Sequence, residues 1–337
     1  MAGRIAMTRL TARFLAPAAL AVAISAQVIG AAAAQQTYPT RTVQLILPYG
    51  AASATDIAAR LFADRLSKLW GKPVVVENRP GGDGIVSLNS VLTAHDDHML
   101  WMGPAGAINV LPYEHDTLPF DTSRDFVPVV SVVNVALAIS TASSMKIDTI
   151  DQLVKLIRSE PGKLNAAAAN GISEFLLFGF FKQKGLQAVE VPYRDIMQAP
   201  NDLVGGRIQV LSTSLAVVQP LAQGGSIKVL LVTSNQRAPS MPDVPTAAEA
   251  GYPDLTFNSL GGVFGPPGMP EKERDSIAED FRKVAKGDPD IAQRLGNTGQ
   301  ILTIKGPSEF TAAVQEQREK LAGLAEILGI KAATTKP

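Results

Sequence analysis

Short apolar runs alternate with amphipathic helical stretches along most of this 337-residue chain, and the runs end in small residues and turns. Few folds accept that alternation. Residues 42–47 read as a buried strand closed by Pro48, Tyr49 and Gly50. In the helix that follows, Ile57, Ala58, Leu61, Phe62, Leu66 and Leu69 share one face, Arg60, Asp64, Ser67 and Lys68 lie opposite, and Gly71 stops it. Ser53 or Thr55 is placed to cap its start. A strand at 74–77, a helix at 85–93 and a strand at 99–102 continue the pattern. The second half repeats it, with helices at 150–158, 173–184 and 199–204 and strands at 164–168, 188–191, 208–211 and 228–233. A strand at 257–264 and helices at 271–286 and 307–328 complete the chain. This order predicts an α/β fold: right-handed crossovers, mostly parallel sheets and helices on both faces. At roughly 150 residues per domain, the length predicts two domains.

The N-terminus has a different character. Arg4, Arg9 and Arg13 precede an apolar stretch at 14–30, and four alanines at 31–34 supply the small residues of a cleavage site. Residues 1–34 therefore read as a secretory signal peptide cut near Ala34. The other reading is a membrane anchor, against which stand Pro17, Ser25, Gln27, Gly30 and the lack of a basic flank. Cleavage leaves 28 basic and 31 acidic side chains, a net charge of −3. That balance provides no overall field for nucleic acid. A later apolar run at 126–142 is broken by Pro128, Ser131, Asn134 and Ser140 and is unsuited to spanning a bilayer. The expected address is the periplasm.

The residues for most catalytic chemistries are missing. With no cysteine there is no thiolate nucleophile, disulfide or Cys-ligated metal. His95, His98 and His115 lie in polar turns; His95-Asp96-Asp97-His98 reads as a solvated turn because one short loop supplies only part of a metal shell. No G-x-S-x-G elbow is present, and Gly81-Gly82-Asp83-Gly84 lacks the spacing and Lys-Ser/Thr of a phosphate loop. No metal or cofactor is expected. A secreted hydrolase or lyase acting on carboxylates remains an alternative, but it needs a convergent acid–base pair that has no recognisable spacing here.

The strand ends are more informative. Residues 48–56 (PYGAASATD), 103–109 (GPAGAIN) and 169–173 (ANGIS) each join a strand end, a loop of small or hydroxyl residues and a helix start. In open α/β sheets such junctions face the ligand crevice. Small side chains expose backbone N–H groups, and the helix start adds partial positive charge, so a carboxylate can be held without a full ionic partner. Any one of these loops is also an ordinary strand-to-helix connection. The candidate donors in these loops are N–H and hydroxyl groups of Ser53, Thr55, Ala105, Gly106, Asn170 and Ser173.

Several stretches resemble one transport family in order along the mature chain: YPTRTVQLILPY with ATDIAAR at 38–60, KPVVVENRPG at 72–81, LPFD and DFVPV at 118–129, PGKLN at 161–165, VPYR at 191–194, DLVGG at 202–206 and MPDVPTAAEAG at 241–251. Together they resemble the Bug-type substrate-binding proteins of tripartite tricarboxylate transporters. The resemblance implies a two-domain periplasmic-binding-protein (type II) fold joined by two crossing strands. The crossings are expected near 135–140 and 260–264, making domain 1 residues 36–138 plus 262–337 and domain 2 residues 139–261. It implies closure on a small organic acid, foremost a dicarboxylate, and delivery to membrane permease subunits by a monomer; a sensor presenting the closed form to a receptor kinase is the alternative.

Carried over residue by residue, the resemblance adds Tyr49, Asp56, Pro104, Asn109, Gly171, Tyr193, Thr213 and Arg194 to the ligand-binding set, Arg194 being equally readable as a solvated loop charge. Departures from the family pattern fall in the same loops. Ala52 and Ser53 replace a usual Gly-Gly, and Pro104 removes an N–H where Thr or Ser is usual. Glu174 and Phe175 replace Pro-His, Thr213 replaces a frequent Asp, and Leu260 an aromatic. Loss of the Asp eases binding of an anionic distal group, and Glu174 opposes it. The first-turn Asp56 also suits a purely structural role at its helix start, and Tyr193 packing beside Pro192.

Overall fold

In the computed structural model the described residues are 38–169, 171–193 and 196–335. The readings for the signal peptide, Asn170 and Arg194 lie outside them. Strands β1 (Val43–Leu47), β2 (Val74–Asn78) and β3 (Met99–Pro104) pair in parallel, as the alternating pattern predicts. They belong to a six-stranded sheet ordered β12-β5-β11-β3-β1-β2, in which β5 (Val127–Val135), β11 (Ser259–Gly265) and β12 (Gln300–Lys305) add antiparallel pairs. A five-stranded sheet, β10-β6-β9-β7-β8, is built from β6 (Leu137–Ala142), β7 (Asn165–Ala168), β8 (Val189–Glu190), β9 (Val210–Ser214) and β10 (Ile227–Val232). Both sheets are mixed rather than mostly parallel: β3-β1-β2 and β9-β7-β8 form a parallel end of each, while the strands that enter or return from the crossings add antiparallel pairs at the other end, and helices flank them.

The apolar run at 126–142 is the first link between the sheets. β5 ends at Val135, Ala136 is fully buried, and β6 begins at Leu137 in the other sheet. Its side chains are buried on both faces, so the alternation that marks a half-exposed strand is absent. The return link runs between Thr233 and Ser259: Thr233 N–H donates to Leu137 O at 2.9 Å and Phe257 N–H to Thr233 O at 2.7 Å. β11 then lies wholly in the six-stranded sheet, so the chain passes between sheets a few residues before 260–264.

Helix α1 (Ala54–Trp70) shows how local signals set an element. Ser53, not Thr55, caps it, accepting from Asp56 N–H at 3.2 Å, and Gly71 ends it at φ 62. Its apolar face meets the helix Glu271–Gly287, with the Phe62 and Phe281 rings 5.1 Å apart. In the six-stranded half, Trp101, Phe264 and Phe310 stack with centroids 5.5 and 5.0 Å apart. Each fully buried aromatic contributes about 2–3 kcal/mol, an upper figure because unfolded chains are partly collapsed. The indole N–H does not go unpaired: Trp101 Nε1 donates to Ser87 Oγ at 2.9 Å, and Ser87 Oγ to Gly84 O.

Among the elements not legible as such in the chain are α7 (Leu215–Gln223), α9 (Pro289–Gly296), β12 and the short parallel pair β4 (Thr117–Leu118) and β13 (Thr334–Thr335), while β5 and β6 show only as one apolar run. α7 carries Pro220 in its interior, which reads as a break. The remaining helices, in chain order, are α2 (Ile85–Ala94), α3 (Ala105–Glu114), α4 (Ile150–Ser159), α5 (Ile172–Gln183), α6 (Ala199–Val204), α8 (Glu271–Gly287) and α10 (Pro307–Leu328). α10 reaches both halves of the fold. Phe310 near its start packs on Phe264, while Leu321, Leu324 and Ala325 near its end join Ile172, Phe175 and Leu176 of α5 in one buried cluster.

Candidate functional site

Four helices follow the carboxyl end of a strand: α3 after β3 and α7 after β9 directly, α1 after β1 and α5 after β7 by way of a short loop. The first-turn N–H groups of any helix lack intrahelical partners. Ser53 caps one of them in α1, whereas α3, α5 and α7 have no side-chain cap. Contacts bring these helix starts together from the two sheets. An added Cβ on Gly106 would lie 2.8 Å from Ile172 Cγ1, so α3 and α5 touch at their first turns. An added Cβ on Gly299 would lie 3.1 Å from Ala216 N in α7, and the adjacent Gln300 donates from Nε2 to Ala54 O of α1 at 3.1 Å. Each meeting point thus pairs helix starts from the two sheets, with uncapped amides at α3, α5 and α7, the setting in which an anion is stabilised.

Asp56 organises the first loop. It is 3% exposed, accepts from Ala52 N–H and Asn78 Nδ2 at 3.0 Å each, and pairs with Arg60 at 2.9 Å. Burial alone raises its pKa, but the bonds from Arg60, Asn78 and Ala52 outweigh that and hold it below the usual carboxylate value. Asn78 also donates to Tyr49 O at 2.9 Å, so strand β2 pins the loop; its only advance sign was its place at a strand end. Ala52, where the family pattern has glycine, sits at φ 65. That conformation costs a side chain about 1–2 kcal/mol, partly offset by the greater chain entropy glycine loses. Ala52→Gly is therefore expected to stabilise the protein by up to ~1 kcal/mol in urea denaturation; a lower midpoint would count against strain at this position.

Other expected ligand residues have partners of their own. Asn109 is 1% exposed, donates to Val314 O at 3.2 Å and accepts from Arg318, which ties α3 to α10. Tyr193 O–H donates to Asp202 at 2.8 Å, and Asp202 also accepts from Arg207. Tyr193 packs at the edge of a cluster containing Leu203 and Leu211, and burial with that bond pushes its phenol up to about 12. Both side chains thus have protein partners that fix their orientation. Thr55 and Pro104 are half-buried, Ala105, Gly106 and Gly171 are buried, and Ser173 and Thr213 are 4% and 1% exposed.

Acidic groups border the junction, and the sequence reading singled out only Glu174 among them. Gly171, at φ 76, starts α5 with its added-Cβ position 3.7 Å from Glu114 Oε1. Burial, then Asp83 and Glu174, raise the Glu114 pKa; burial, then Glu190, raise that of Glu174. Burial, then Glu114 and Asp83, push Tyr49 up to about 12, although 40% of its surface is open: the ring stands in a concave, crowded place. The Asp96, Asp97 and His98 group lies elsewhere. Arg41 bonds Asp96 at 2.6 Å and Asp97 at 3.3 Å, supplying the positive charge for that turn.

Two α/β halves linked by crossing strands, with helix starts from both meeting at one junction, define the periplasmic-binding-protein fold. The family model for the tripartite tricarboxylate transporter family receptor matches residues 58–330. A UPF0065 protein of Bordetella bronchiseptica is 30% identical over 318 residues, covering 94% of this chain and 92% of the relative. The protein BugT of Bordetella pertussis is 27% identical over 336 residues, covering 96% and 99%. Among solved structures, a periplasmic transporter protein matches with a TM-score of 0.73 at 27% identity, over 88% of this chain and 99% of that one. An R. palustris protein solved with adipate matches with a TM-score of 0.72 at 26% identity, over 87% and 99%. The chain belongs to the tripartite tricarboxylate transporter receptor family. It is a solute-binding receptor, not an enzyme.

Proposed function

We propose that this receptor captures a small organic carboxylate, foremost a dicarboxylate, at the junction of its two lobes and delivers it to membrane permease subunits of a tripartite tricarboxylate transporter. The observation that carries the reading is the meeting of the uncapped starts of α3 and α5 at Gly106 and Ile172. Amides of Ala105, Gly106, Ile172 and Ser173, with the Thr55 and Thr213 hydroxyls, receive the ligand; Asn170 and Arg194 belong to the same proposal. Adipate in the R. palustris relative supports the dicarboxylate class. The expected lobe boundaries, residues 36–138 plus 262–337 and residues 139–261, move by two or three positions, so that all of β6 belongs to the second lobe and all of β11 to the first. Export with removal of residues 1–34 places the receptor in the periplasm.

Contacts made by both lobes exist only when they close, so a ligand shifts the equilibrium by its differential affinity for the closed form. The test is a thermal-shift screen of the mature chain against aliphatic and aromatic mono-, di- and tricarboxylates. A ligand at 100 times its Kd should add roughly 2.7 kcal/mol to stability. If no organic acid raises the melting temperature, the reading fails.

The acidic border gives the binding a pH dependence. Both Glu114 and Glu174 have raised folded pKa values, so the native state holds their protons more tightly than the unfolded state. Their charged forms oppose an incoming anion near neutral pH. Affinity for a dicarboxylate should therefore rise as pH falls through the raised values, until the ligand itself protonates. Glu174→Gln should bind a dicarboxylate roughly fivefold tighter at pH 7.5 and flatten the pH profile, since one charge at this range is worth about 1 kcal/mol. Calorimetry at pH 7.5 and 5.5 checks this; a variant with unchanged affinity and slope would remove Glu174 from the site.

A further inference from the structure

A second polar cavity, of about 220 Å³, lies where the return link, β12 and α10 meet. Leu260 lines it, but none of the helix-start residues does, and its walls come from the six-stranded sheet (Asn134 and Lys305), the return link (Thr256) and α10 (Glu316, Gln317 and Lys320). At ~30 Å³ per water, the volume accommodates about seven waters or a small metabolite.

Its polar inventory is incomplete in one direction. Asn134 and Gln317 are 4% and 5% exposed, and Asn134 Oδ1, Gln317 Oε1 and Thr256 Oγ1 have no hydrogen-bond partner among the described residues. The amide orientations are not interchangeable. Asn258 Oδ1 accepts from Asn235 N–H at 3.1 Å, which fixes it as an oxygen, so the group Asn134 turns toward it at 2.9 Å must be the NH₂. Gln317 Nε2 donates to Asn258 O, a carbonyl, which fixes that amide as well. Both oxygens are therefore acceptors without donors, a costly state for buried groups. On the same wall stand two ammonium groups: Lys320, which donates to Thr256 O and whose pKa is lowered by burial, and the half-buried Lys305.

We infer that this cavity is a second ligand site, for a zwitterionic α-amino acid, distinct from the carboxylate site at the helix starts. The ligand carboxylate meets Lys305 and Lys320, and its ammonium donates to Asn134 Oδ1 and Gln317 Oε1, with the unpartnered Thr256 hydroxyl as a further acceptor and Glu316 completing the charge balance. Each orphan oxygen is shielded in this arrangement, so binding entails a small side-chain rotation that uncovers it.

The test uses the full mature chain, titrated calorimetrically with L-serine and, as half-ligands, with acetate and methylammonium. L-Serine should bind with one-to-one stoichiometry and more tightly than either half. Lys305→Met and the near-isosteric Thr256→Val should each weaken L-serine at least tenfold, while Thr256→Val leaves the unliganded melting temperature unchanged or higher. Gly106→Val, which alters the helix-start site, should leave L-serine affinity within twofold. Absence of L-serine binding, binding unaffected by both cavity variants, or binding lost in Gly106→Val would each overturn the proposal. None of these readings depends on a carboxylate ligand being found.

Discussion

Gly106→Val is expected to lower carboxylate affinity at least 100-fold while leaving a folded protein. The first side-chain carbon would lie 2.8 Å from Ile172 Cγ1 and 3.0 Å from Ile172 Cδ1, closer than carbon atoms pack. Ile172 is 8% exposed and held among Val110, Phe175 and Leu176, so it has little room to retreat. The valine therefore acts as a wedge between α3 and α5, holding apart the two sets of amides that must act together. Overpacking of this kind costs about 1–3 kcal/mol of stability, less than the fold holds. Adding Ile172→Ala clears the space, and the double variant should recover most of the affinity; coupling of this sort is the mark of residues in contact. Calorimetry and X-ray scattering on the three variants check both parts. Equal loss in the single and double variants would mean that the contact is not what aligns the lobes.

Gly262→Ala should be more drastic, leaving little folded protein. Gly262 lies in β11 between β3 and β5, and an added Cβ would stand 2.4 Å from Val130 O and 2.7 Å from two atoms of the Phe310 ring. Neither neighbour can yield: Val130 O is strand backbone, and Phe310 is fully buried against Phe264. Displacing α10 also disturbs the far end of that helix, which packs on α5. The expected loss is at least ~3 kcal/mol, a large share of a stability of about 5–15 kcal/mol. Circular dichroism on heating measures it; a melting temperature within a few degrees of the unaltered chain would contradict this account of the strand–helix approach.

Elements whose signals are local were legible from the chain. α10 runs Pro307–Leu328 as its proline start and amphipathic pattern require, and α1 ends at Gly71 because only a left-handed residue fits there. The parallel pairing of β1, β2 and β3 followed from their spacing. β5 and β6 escaped notice because burial on both faces erases the period of two, and α7 because Pro220 looks like a stop.

Among the site residues, the helix starts could be read in advance because the N–H groups belong to every helix and the small loop residues are visible as letters. The side-chain roles could not. Asn109 looks like a ligand contact until α10, more than 200 positions along the chain, takes both ends of its carboxamide. Tyr193 is satisfied by Asp202, and Asp56 by Arg60 and Asn78. Glu114 and Asp83 come near α5 only through the fold. Backbone chemistry and helical period depend on neighbours within a few residues, so the order of letters determined the α/β class, the helix starts and the family. Which donor meets which acceptor depends on approaches between distant segments, and that was decided only when the two sheets and α10 packed together.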